Sequence, residues 1–102
     1  MGYEGQPEKV RILGIDYAVS VYPSKQRDSF GLCRHDTCAI EISDSNSEQY
    51  ARSVLLHEIL EALNYRLELG LEHDKITILE AGLIQIIRDN TQLVKFLEKV
   101  DD

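Results

Sequence analysis

Apolar and polar positions alternate along two stretches in the first half of the chain. Over residues 16–22, Tyr17, Val19 and Val21 alternate with Asp16, Ala18 and Ser20. Over residues 38–43, Cys38, Ile40 and Ile42 form one face and Ala39, Glu41 and Ser43 the other. A period of two predicts half-buried β-strands. Residues 10–14 read as a further strand ahead of them. Pro23, which has no N–H to give to a ladder, ends the strand before it. The mostly polar residues 23–37, which include Gly31, are expected to form a long loop with a short extended piece over 30–33.

The second half changes period. Ser45-Asn46-Ser47-Glu48 fits a capping box, with a Ser side chain on an exposed N–H and a Glu three residues later. It predicts a helix running to about Tyr65, and Gly70 interrupts the helical pattern beyond it. A second helix is predicted over residues 74–89, with Ile76, Leu79, Leu83, Ile86 and Ile87 on its apolar face and Asn90 as its stop. A short third helix covers residues 92–100, and Asp101 and Asp102 are expected to fray. Strands followed by helices in 102 residues predict one α+β domain spanning 1–102, with a small sheet packed on helices.

Charge narrows the function classes. Eighteen acids against eleven bases make the net charge −7. Residues 1–43 hold six acids and five bases, and residues 44–102 hold twelve and six, so the halves carry −1 and −6. Scattered bases in an acidic chain argue against a nucleic-acid partner, which needs clustered positive charge. No apolar run has membrane-spanning length, and the N-terminus lacks a signal-peptide layout. Two cysteines, Cys33 and Cys38, fit reduced thiols in a cytoplasmic protein.

The first helix carries an anomaly. From Val54 to Leu63 it is apolar over most of its circumference, yet it holds His57, Glu58 and Glu61. Buried carboxylates are costly unless paired, protonated or bound to a metal. His57 and Glu61 lie one turn apart and project side by side, so both can ligate one cation, and zinc accepts imidazole and carboxylate donors together. His73, ahead of the second helix, completes a two-His, one-carboxylate set with an open fourth position, and Glu80 is the fallback third ligand. Glu58, on the neighbouring face, is placed to take a proton from a metal-activated water. The alternative is a polar stripe of an ordinary amphipathic helix, which Tyr50, Asn64 and Glu68 would extend.

The segment Leu55-Leu56-His57-Glu58-Ile59-Leu60-Glu61-Ala62-Leu63-Asn64 resembles the active-site helix of small zincin-like zinc metallopeptidases of phages and prophages. Leu71-Glu72-His73, Leu79-Glu80-Ala81-Gly82-Leu83-Ile84-Gln85 and Arg88-Asp89-Asn90 resemble that family's closing segment. The resemblance implies a twisted sheet on an active-site helix and a supporting helix, one zinc ion, His57 as first ligand and Glu58 as general base. Its substrate would be a peptide or protein. Glu61 stands where the H-E-x-x-H pattern has its second His, so the same resemblance also fits a catalytically degenerate binding module acting through a protein partner. A peptidase of this length calls for a partner, an oligomer or an open cleft.

Three further groups merit placement. Cys33, His35 and Cys38 form a Cys-x-His-x-x-Cys cluster that lacks a fourth ligand for a structural zinc, and Cys38 is expected to pack inward from its strand. Tyr65 is either a donor to a developing oxyanion or a packing residue at the helix end. Arg52 and Arg66 are expected to balance surface carboxylates.

Overall fold

Leu13 and Gly14 both take positive φ, 52° and 81°. A two-residue hairpin requires that geometry, because its twist must match that of the flanking strands. The first strand therefore stops short of the expected residue 14: β1 is Lys9–Ile12 and β2 is Ile15–Tyr22, paired antiparallel. The computed structural model describes residues 2–26 and 29–100, so the fraying expected of Asp101 and Asp102 lies outside the described residues.

Within the expected loop, the short extended piece expected over 30–33 is a four-residue strand one residue further on. This strand, β3 (Gly31–Arg34), pairs antiparallel with β4 (Ala39–Ser43). Cys38 is the last turn residue rather than the first strand residue, since its φ is 54°. β4 also runs parallel to β2, with Ala18 opposite Ala39 and Tyr22 opposite Ser43. The sheet is thus mixed, in the order β1-β2-β4-β3, and β3 is an edge strand.

Three helices complete the α+β fold: α1 (Glu48–Arg66), α2 (His73–Asp89) and α3 (Thr91–Glu98). The cap of α1 differs from the expected box. Ser47 is the N-cap and its hydroxyl accepts from Tyr50 N, while Ser45 pairs its hydroxyl with that of Ser43. Glu48 is then the first helical residue, where a carboxylate favours the helix dipole.

Ala51, Val54, Glu58 and Ala62 are the buried residues of α1. Their spacing of three or four draws one face, and it lies on the sheet. The core joins Ile12, Tyr17, Val19, Ile40 and Ile42 from the strands to Ala51, Val54 and Ala62. A second face of α1 meets α2, which runs back along it, as the bond from Arg88 Nη2 to Gln49 O at 3.3 Å records.

The apolar face expected of α2 is only partly covered. Ile76 is buried and Leu83 half-buried, while Leu79, Ile86 and Ile87 are exposed. The reason is that α2 has a single layer, α1, to pack on. Among the described residues no helix is long and apolar enough to cross a membrane.

Candidate metal centre

Two turns and two helices build the site. Residues 67–72 reverse the chain through Glu68 and Gly70, both at positive φ. Asn64 clamps this turn: its Nδ2 donates to Leu71 O at 3.0 Å and its Oδ1 accepts from Leu71 N at 2.9 Å. The clamp sets His73 at the start of α2, facing the α1 stripe.

There the three expected ligands come together. Glu61 Oε2 lies 3.4 Å from His57 Nε2 and 3.1 Å from His73 Nδ1. One ligand atom from each of the three residues falls within 4.8 Å of the other two. In a tetrahedral zinc shell with bonds of ~2.0–2.1 Å, donor pairs lie roughly 3.3 Å apart. Two of the three edges thus already have the length that a shared ion requires. The imidazole rings stand 4.8 Å apart at 64°. Nitrogen and carboxylate donors in this number suit zinc, and the residues fit the ion.

Glu80 stands outside the His57, Glu61 and His73 group. Its Oε1 lies 3.3 Å from the other nitrogen of His57, Nδ1, on the far side of the ring from Glu61. A carboxylate in that place accepts the Nδ1 proton and fixes the tautomer that leaves Nε2 free to ligate. The His57 side chain is 12% exposed and that of His73 75%, so one ligand is held within the protein and the other at its rim.

Glu58 lies on the sheet-facing side of α1 and is 8% exposed. Burial, and next the charge of Glu61, push its carboxyl up to about 7, while His73 opposes the rise. A proton acceptor near neutrality is what general-base work needs. An open cavity of about 400 Å³ runs past it, lined among others by His57, His73, Glu80, Phe30, Tyr50 and Val54.

Gly31 is a site residue that the sequence reading left unassigned. A Cβ there would sit 2.5 Å from Val54 Cγ1 and 3.1 Å from Glu58 Oε2. Only glycine lets β3 approach α1 so closely. Its one sequence signal is a glycine inside an apolar strand pattern, which marks close approach of a neighbour.

The other groups go elsewhere. Cys33 Sγ lies 3.6 Å from His35 Nδ1, and Cys38 Sγ, 3.8 Å from His35 O, is held in the turn by that contact. Both cysteines are free thiols, and among the described residues only His57, Glu61 and His73 form a group that could hold a metal ion. Tyr65 stacks on His35 with ring centroids 4.0 Å apart and does not line the cavity. Arg66 does not serve a surface carboxylate as expected. It donates to Tyr17 Oη at 2.8 Å and to His35 O at 2.9 Å, tying the end of α1 to the sheet. Protein-family models, curated proteins and solved structures were compared with the chain, and none matches it.

Proposed function

We propose that this chain is a zincin-type, zinc-dependent metallopeptidase that cleaves a peptide or protein substrate. The observation that carries the reading is the convergence of His57, Glu61 and His73, with both imidazoles and the buried carboxylate Glu58 lining one open cavity. His57 Nε2, Glu61 Oε2 and His73 Nδ1 would hold one zinc ion. A bound zinc ion supplies Lewis acidity, which polarises a carbonyl and makes water more acidic. Glu58 receives the proton from the attacking water on its carboxylate and returns it to the leaving amine. Glu80 holds the His57 ring in register by accepting the Nδ1 proton. Phe30, Tyr50 and Val54 give the cavity an apolar part of its lining, on which a substrate side chain could rest.

Metal analysis of tag-free protein grown with added zinc is the first test, and near-stoichiometric zinc is expected. Cleavage of an unstructured protein substrate by the parent, lost in Glu58→Gln, is the second. A zinc content near zero in the parent overturns the site. Equal cleavage by parent and variant overturns the mechanism.

A second reading rests on Glu61, a carboxylate in place of the second imidazole of the H-E-x-x-H pattern. In it the chain is a zincin-like binding module acting through a protein partner. Zinc without cleavage in the parent, with cleavage gained in Glu61→His, would select that reading.

A further inference from the structure

Helix α3 presents an apolar face that none of the described residues covers. Leu93, Phe96 and Leu97 lie on one side of α3, at the i, i+3, i+4 spacing of a helix–helix seam. They are 42%, 76% and 69% exposed, and Val100, just beyond the helix, is 82% exposed. Val94 is the one half-buried residue of α3. The end of α2 adds Ile86 and Ile87, at 41% and 45%.

With ~150–200 Å² for a fully exposed large side chain, these six leave on the order of 600 Å² of apolar surface uncovered. The largest patch on a typical monomer spans about 300–600 Å². A standard interface buries ~800 Å² on each partner, of which roughly 57–65% is apolar, the higher share in homodimers. The end of α2 and α3 together thus expose about the apolar area that half a homodimer interface needs.

We propose that a second copy of this chain covers this face. A two-fold contact sets α3 and the end of α2 of one protomer against the same elements of its partner. Such an isologous contact is the commonest way two identical chains associate, and it covers both patches at once. Lys95 and Glu98 lie on the opposite side of α3, clear of the seam. The metal-site residues of α1 and the start of α2 are not part of the interface, so the proposal stands or falls apart from the zinc reading.

Sedimentation velocity of the full chain tests it, with Phe96→Glu and, separately, Leu97→Glu as variants. Both residues are exposed, so neither substitution removes core packing, and the far-ultraviolet circular dichroism of each should match the parent's. The expected result is a species of twice the chain mass, whose dissociation constant rises at least ~30-fold in either variant. A parent that stays monomeric at concentrations above micromolar overturns the proposal. That includes a monomer that takes up phospholipid vesicles or a helix of another protein on this face. A dimer that both variants leave intact overturns it as well.

Discussion

Glu58 is a carboxylate set where a charge is expensive. Its pKa is raised from 4.5 to about 7, first by burial and then by Glu61. Below pH ~4.5 the group is protonated in folded and unfolded chains alike and costs nothing. As pH rises toward 7, the unfolded chain ionises it more readily than the folded one, and stability falls. Above 7 the whole penalty is present, at most about 3 kcal/mol. In metal-free protein, Glu58→Gln should therefore raise the thermal midpoint at pH 8 and leave it little changed at pH 4. A midpoint difference independent of pH would refute this. Cys33 is perturbed in the same sense: burial, then Glu58 and Glu61, push its thiol up to about 12. Since the thiolate is the reactive form, iodoacetamide at pH 8 should modify Cys33 far more slowly than an unfolded-chain cysteine, as peptide mass mapping can measure. Gly31→Ala would drive a methyl group into Val54, with an expected loss of ~1–3 kcal/mol in urea denaturation.

At the scale of elements, the site depends on the turn between α1 and α2 as much as on either helix. His57 and Glu61 are aligned by the helix itself, whereas His73 is aligned by the Asn64 clamp. Asn64→Ala removes two hydrogen bonds to Leu71, each contributing roughly 0.5–1.5 kcal/mol. Zinc affinity should fall with stability in that variant, because one ligand loses its support. Glu80→Ala should act differently. It frees the His57 ring, and zinc affinity should drop about 10–100-fold with the fold intact. Competition with a chromophoric chelator measures both, and unchanged affinity in Glu80→Ala would remove Glu80 from the support of the site.

For the whole molecule, a metal joining α1 to the start of α2 should stabilise the fold, because the unfolded chain has no assembled site. Free zinc at about 100 times its dissociation constant would add ~2.7 kcal/mol. In a domain of this size that is a rise of roughly 10–20 °C in the thermal midpoint, reversed by a chelator. A midpoint indifferent to zinc would contradict the proposed centre.

Periodicity along the chain already determined the element types, since alternation and helical spacing are local properties of neighbouring side chains. Residues 39–43 and the His57–Glu61 pair were legible for that reason: a strand's faces and a helix's turn are set by geometry that every such segment shares. Three matters were decided only by tertiary structure. Residues 31–34 pair with β4 along its free edge, and that partner is what no local pattern records. Glu80 came to rest against His57 Nδ1 and away from Glu61, because α2 packs with that carboxylate behind the ring. Arg66 turned inward because Tyr17, forty-nine residues away in sequence, brought its hydroxyl to the end of α1. The sequence by itself named the side chains able to hold a cation. Which of them share a point in space followed from how α1, the Asn64-clamped turn and α2 pack, because distances between remote residues exist only once the chain has folded.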